Sequence, residues 1–284
     1  MKITTDGAVT TVLKDDIQYG RDYYIMLRSD AHHDSVHCDC KLEKQHLDYA
    51  LDHDAMVMDA GDLYDAMQGR FDPRRSYDDI RPEYRASNYY DLIEDDAVKF
   101  YAPYANNFVL MGKGNHEKSV LKNSNIDLTS RLVSRLNREH NGNIVTGGYG
   151  GWVVLRLKMA GNNDNHTIRI KYFHGSGGEA PVTRGVIQTN RQMVYLPDAD
   201  IIWNGHNHNN YVIPIKRERI SNKNRQYFDV AWNVRTPGYK NDYGAGTDGW
   251  EVERGGVPKP LGCVMIRYKF NSNDLELFAY SLVV

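Results

Sequence analysis

Five times in this 284-residue chain a short apolar run stops abruptly at residues that carry metal-type donor atoms. Tyr23 to Leu27 runs into Ser29-Asp30-Ala31-His32, and Ala55 to Met58 runs into Asp59-Ala60-Gly61-Asp62. Phe108 to Met111 leads to Gly112-Lys113-Gly114-Asn115-His116-Glu117. Ile168 to Phe173 ends at His174, and Ile201 to Trp203 ends at Asn204-Gly205-His206-Asn207-His208. Runs this short, rich in β-branched and aromatic residues, read as strands buried on both faces. Periodic segments at about 42–53, 84–100, 127–140 and 186–195 read as helices. Alternation of the two implies an α/β layered fold, in which ligands gather at the carboxyl ends of strands.

The C-terminal third reads as two hairpins, 211–220 with 226–235 and 262–270 with 275–283, forming a second sheet packed on the first within one domain, 1–284. Between them, 237–260 holds six Gly and three Pro and reads as a long functional loop, with Tyr239, Tyr243 and Trp250 in it. Residues 64–107 read as a helical insertion. "GGYGG" at 147–151 reads as a hairpin turn.

A formal charge of −2 argues against a surface coated in basic charge for nucleic acid, and no run of apolar residues is long enough for a membrane span. Three cysteines and no apolar leader predict a cytoplasmic protein without a disulfide scaffold. The 11 histidines carry more information. Asp30 with His32, and His206 with His208, are pairs two residues apart that share a face if strand geometry persists. Mixed carboxylate and imidazole donors suit Zn, Mn or Fe better than Ca. Gly61 and Gly114 let the backbone turn tightly before Asp62 and Asn115. With His174 this makes seven candidate ligands: too many for one tetrahedral ion, about right for two ions sharing a carboxylate.

The ordered blocks "SDAH", "AGDLYD", "GKGNHE", "FHG" and "NGHNH" resemble the calcineurin-like metallophosphoesterase superfamily over residues 25–208. The resemblance implies a four-layer α-β-β-α sandwich of two mixed sheets, with the metal site at the carboxyl ends of strands. It implies that Asp30, His32 and His208 hold one divalent ion, Asn115, His174 and His206 the other, and Asp62 both. Manganese is the expected metal, with zinc, iron or nickel as alternatives. The implied reaction is attack of a metal-bridging hydroxide on a phosphate ester, with His116 protonating the leaving oxygen and Asp65 orienting His116. Protein phosphatases of the family follow this block with Arg-Gly, whereas Ala66-Met67-Gln68 stands here. That departure, and the loop aromatics, favour a phosphodiester of nucleic acid or a nucleotide over a phosphomonoester. Arg70, Arg74, Arg75, Arg184 and Arg191 are candidates to replace the missing arginine. A catalytically silent interaction platform is the alternative of another class.

Other features read blandly. Histidines 33, 37, 46, 53, 140 and 166 read as surface or packing residues. "HCDC" at 37–40 lacks a second cysteine pair at zinc spacing and reads as an ordinary loop, with a small metal clip as the alternative. Lys216, Arg217, Arg219, Lys223 and Arg225 read as a solvated hairpin tip, with contact to nucleic-acid phosphates as the alternative.

Overall fold

A computed structural model describes residues 1–68, 72–161, 164–178, 185–244, 249–253, 255–271 and 274–284. In chain order its elements are β1 (Lys2–Asp6), β2 (Val9–Ile17), β3 (Asp22–Arg28), α1 (Cys40–Asp52), β4 (Met56–Asp59), α2 (Tyr89–Tyr101), β5 (Phe108–Met111), α3 (Asn115–Ser124), α4 (Leu128–Glu139) and β6 (Val145–Thr146). There follow β7 (Gly150–Met159), β8 (Asn165–Phe173), α5 (Val186–Tyr195), β9 (Ile201–Asn204), β10 (Tyr211–Ile220), β11 (Gln226–Arg235), α6 (Trp250–Glu253), β12 (Gly262–Asn271) and β13 (Asp274–Val283). They build two mixed sheets flanked by helices, in the orders β1-β2-β7-β8-β9-β11-β10 and β13-β12-β3-β4-β5-β6. No helix among the described residues is long and apolar enough to cross a membrane.

Alternation along each strand sets the layers. From β3, Tyr23, Ile25 and Leu27 face the other sheet and meet Val153, Leu155, Ile168, Ile170 and Trp203. Met26 faces the opposite way, with Val57, into the apolar faces of three helices: Leu47 and Ala50 of α1, Ile93 and Ala97 of α2, Leu132 and Leu136 of α4. The seven-stranded sheet carries α5 on its side. Thr189 there bonds the Tyr211 hydroxyl at 2.7 Å, and Gln192 exchanges two 3.0 Å amide bonds with Asn204.

Two topological expectations are corrected. The C-terminal hairpins do not form one new sheet. β11 pairs in parallel with β9 (Trp232 opposite Ile201), while β12 pairs antiparallel with β3 (Met265 opposite Met26), so each hairpin extends a different sheet. Nor does 147–151 close a hairpin: β6 pairs with β5 and β7 with β2 and β8, so this glycine-rich run crosses between the sheets. Helix α3 escapes the periodicity because its sequence, NHEKSVLKNS, is mostly polar.

One buried ion cluster ties β3 and β4 to α1. Arg28, wholly buried, donates at 2.8 Å to Asp59 and at 2.8 Å to Glu43, and Tyr101 closes the group. Burial nevertheless pushes the Asp59 carboxyl up to about 6, against the pull of Arg28. Replacing Arg28 by Met would leave two uncompensated carboxylates, an effect of about 3–5 kcal/mol. Urea unfolding at pH 8 should show that loss. Because Asp59 binds its proton more tightly folded than unfolded, the deficit should shrink as the pH falls from 8 towards 5.

Candidate active site

All seven predicted ligands come together above the carboxyl ends of β3, β4, β5, β8 and β9, but not by strand geometry. β3 ends at Arg28 and β9 at Asn204, before the donors begin. Asp30, His32, Asp62, His206 and His208 instead occupy the left-handed region, with φ of 55°, 47°, 54°, 75° and 52°. A non-glycine residue there costs about 1–3 kcal/mol, and such strain concentrates at functional sites. Gly61, at φ 109°, and Gly114 admit the closest approach: a Cβ on Gly61 would lie 2.2 Å from Gly114 N, and one on Gly114 2.0 Å from Asp62 Oδ1.

The donors fall into two groups, Asp30 with His32 and His208, and Asp62 with His174 and His206, each with its donor atoms within 4.8 Å of one another. Each carboxylate is pinned by one oxygen and offers the other. Asp30 Oδ2 accepts from the His206 N–H at 2.8 Å, and Asp62 Oδ1 from the His116 N–H at 2.8 Å. Asp62 Oδ2 then lies 3.1 Å from His174 Nε2, while Asp30 Oδ1 is buried without a hydrogen bond, 3.5 Å from His208 Nε2.

The imidazoles are turned for donation. His32 Nδ1 bonds Asp65 Oδ1 at 2.8 Å, leaving Nε2 facing His208 Nε2 at 3.3 Å. His174 Nδ1 bonds the Ala60 carbonyl at 3.2 Å, leaving Nε2 inward. An outer partner on one ring nitrogen fixes the other as a lone-pair donor. Asn115 Oδ1 lies among acceptors, 3.1 Å from His174 Nε2, 2.8 Å from His206 Nδ1 and 3.1 Å from Asp62 Oδ2. An amide oxygen in that company, two facing imidazole nitrogens and an orphaned buried carboxylate oxygen all fit cations between them. Burial disfavours charge on His174, yet Asp62 outweighs it and holds the ring up to about 10. Without ions, a proton on His174 stands where a cation belongs.

Glu117, which the sequence reading passed over, locks the frame. Its carboxylate accepts from the backbone of Gly114 at 2.8 Å and of Asp62 and Tyr64 at 3.0 Å, so the first turn of α3 grips the loop after β4. The only hint was its place three residues into the helix.

Asp65 splits the role expected of it. Its carboxylate serves His32 and, at 3.2 Å, Lys240 Nζ, whereas its carbonyl accepts from His116 Nδ1 at 2.5 Å. His116 lines a cavity of about 470 Å³ with His32, Asp62, Asn115, Arg74 and Lys240. Of the five candidate arginines, Arg74 enters this cavity, Arg75 and Arg191 are exposed, and Arg70 and Arg184 lie outside the described residues. Tyr239 is fully buried under Arg28 and unavailable for stacking on a base. Tyr243 is partly exposed, and its hydroxyl donates to Gly256. The hairpin cations divide: Arg217 forks onto Asp229 at 2.8 Å, while Lys216 sits over Phe228.

No family model and no curated protein matches the chain. Solved structures are similar to it. One is a conserved protein of Streptococcus pneumoniae described as a predicted phosphoesterase, at 12% identity over 92% of this chain and 99% of that one, TM-score 0.32. Another is Vps29 of Entamoeba histolytica complexed with Zn²⁺, at 10% identity over 91% and 98%, TM-score 0.37. A third is GAP50, the anchor in the inner membrane complex of Plasmodium, at 10% identity over 93% and 89%, TM-score 0.41. These likenesses say nothing of chemistry or substrate.

Two outcomes follow from the geometry. Adding manganese to metal-stripped protein at pH 8 in weak buffer should release about one proton per chain, from His174, and Asp62→Asn should abolish the release. Asp65→Asn leaves the carbonyl that holds His116 but loosens His32. Metal affinity should fall about 10–100-fold, with turnover recovering at saturating manganese.

Proposed function

We propose that this chain is a phosphoesterase working with two divalent metal ions, and that phosphodiesters are its preferred substrates. The observation that carries the reading is the convergence of seven donors, two of them carboxylates with one oxygen each turned inward, beside a histidine, His116, that lines the same cavity with its Nε2 3.9 Å from Asp62 Oδ2. Asp30, His32 and His208 would hold one ion, Asn115, His174 and His206 the other, with Asp62 shared. Bound there, such ions supply a nucleophile at neutral pH and neutralise charge on phosphoryl oxygens. The five sequence blocks that resemble the calcineurin-like metallophosphoesterases support the same reading.

The chain's own groups do the rest. With no cation at the donors the Asn115 amide is satisfied with its oxygen accepting from Arg74 Nη1 at 3.1 Å. Turned to give that oxygen to an ion, the amide would present its nitrogen beside Arg74 Nη1, and a non-bridging phosphoryl oxygen would accept from both. With Nδ1 committed to the Asp65 carbonyl, His116 presents Nε2, 3.9 Å from Asp62 Oδ2, to the leaving oxygen. Because Nδ1–H is committed to the carbonyl, Nε2 carries a proton only in the imidazolium, a form that burial disfavours and the charge of Asp62 supports. When the P–O bond breaks, its electron pair stays on that oxygen, the Nε2 proton of the imidazolium joins it, and water reprotonates the ring. Hydrolysis at a diester needs room for two ester arms. Met67 and Pro73 wall one side of the donors, and Gly177, Asn207 and Lys259 also line the cavity. Arg74 favours the second reading, a phosphomonoesterase, because a guanidinium suits the additional charge of a monoester.

The manganese-loaded chain should hydrolyse bis-p-nitrophenyl phosphate faster than p-nitrophenyl phosphate; the reverse order would move the assignment to the second reading. His116→Ala should slow a dinucleotide by about 10²–10⁴-fold. The aryl diester should lose much less, because p-nitrophenolate departs without a proton. Equal losses on both would remove His116 from the acid role.

A further inference from the structure

Next to these donors, and sharing none of their residues, lies a second and softer set. His33 Nδ1, Cys38 Sγ, Cys40 Sγ and a Glu43 carboxylate oxygen all lie within 4.8 Å of one another. Cys40 Sγ is 3.7 Å from His33 Nδ1, Cys38 Sγ 3.8 Å from Glu43 Oε2, and that oxygen 3.0 Å from His33 Nδ1. Ligands around a tetrahedral zinc stand about 3.3–3.8 Å apart, given bonds of about 2.0–2.3 Å. The sulfur contacts to His33 and Glu43 lie in that range, whereas the Glu43–His33 pair and the two sulfurs, each 3.0 Å apart, must open slightly to admit the ion. The two sulfurs, 3.0 Å apart, are well beyond a covalent bond of about 2.05 Å.

The surroundings complete the arrangement. Glu43 Oε1 is committed to Arg28 and Tyr101, which leaves Oε2 for the cluster. The far nitrogen of His33 lies 3.3 Å from the Asp96 carboxylate of α2, the outer partner that a metal-bound imidazole ordinarily has. Arg81 Nη2 is 2.7 Å from Cys40 Sγ, where it favours a thiolate. The Cys38 thiol and His33 act in the same direction, holding the Cys40 thiol down to about 5. Burial and the bond to Cys40 push the Cys38 thiol well up, so the second thiolate forms only as an ion displaces its proton. Cys40 and Glu43 stand three residues apart on the first turn of α1, hence on one face. His33 and Glu43 are buried, and the cysteines half-buried, which leaves a path for an ion to enter.

We propose that His33, Cys38, Cys40 and Glu43 form a third metal site, a tetrahedral zinc clip distinct from the pair of ions in the cavity. Two thiolates and an imidazole select zinc over the hard cations that carboxylates alone would take. The clip closes the loop between β3 and α1, and so fixes the segment that begins at His32. Its reach extends further, because Cys38 pairs with Lys240 across an isolated bridge and Lys240 Nζ meets Asp65. On this proposal the half of the ligand set that "HCDC" lacks is supplied by His33 and Glu43, on either side, and not by a second cysteine pair.

The test is cobalt titration of the reduced, metal-stripped full chain. The thiolate-to-cobalt charge-transfer band should appear, persist in Asp62→Asn, and vanish in Cys40→Ser, whose zinc content should fall by about one ion per chain. Zinc should also slow alkylation of Cys38 and Cys40 in the unaltered chain by at least tenfold, a readout that needs no variant. A cobalt spectrum without the band, alkylation rates indifferent to zinc, or a Cys38–Cys40 disulfide that persists in reductant and zinc would each overturn the proposal.

Discussion

Four aspartates buried side by side, Asp30, Asp59, Asp62 and Asp65, set the terms for this structure. An ionised carboxylate removed from water is costly unless paired and hydrogen-bonded. Asp59 has Arg28 and Asp65 has Lys240, so those two are settled by the protein's own cations. Asp30 and Asp62 have only backbone N–H groups on one oxygen and imidazoles on the other. Burial should drive both towards neutrality, yet neighbouring histidines hold Asp30 at about 2 and Asp62 well below the ordinary carboxylate range. The fold therefore keeps two anions whose only cationic partners are imidazoles, an arrangement that suits metal ions in their place.

That dependence explains why the backbone around the site is strained. Extended strand residues would send Asp30 and His32 to one face, but at a spacing the strand dictates. Left-handed turns at Asp30, His32, Asp62, His206 and His208 re-aim each side chain separately. The cost, about 1–3 kcal/mol at each turn, is met by the close-packed glycines and by Glu117, whose three backbone bonds fasten the loop after β4 to α3.

The identities of the donors were legible in the sequence because donor chemistry is a property of residue types at strand ends. The layers were legible too, since α1, α2, α4 and α5 have clear periodicity and the C-terminal hairpins have clear turns. What could not be read was anything decided by pairing between distant segments. The choice of sheet for β11 and β12 depends on which edge is open, β9 in one case and β3 in the other. The softer donor set was half legible for the same reason: "HCDC" offers a metal clip in the sequence, but His33 and Glu43 join Cys38 and Cys40 only once α1 brings Glu43 round to meet them. Segment 64–107 conceals a similar division. Tyr84, Tyr89, Tyr101 and Tyr104 serve the core of the helical layer, while Met67, Pro73 and Arg74 wall the cavity.

Asp65 brings these strands of the structure together. One residue steadies a donor of the first group through its carboxylate and the candidate acid through its carbonyl, so a shift of this loop moves His32 and His116 at once. Its amide N–H is anchored in turn, at 2.6 Å, to the carboxylate of Asp34, which also accepts from Tyr89 of α2 at 2.5 Å. Helix α2 thus reaches this loop through two side chains in series, Tyr89 and Asp34. His33, bonded towards Asp96 of the same helix and adjacent to His32, supplies a parallel route. Two short routes from one helix to one loop make the relative placement of ion donor and proton donor a rigid property of the fold. The reaction proposed for this site would draw on that rigidity, since nucleophile and leaving group must lie in line through a single phosphorus.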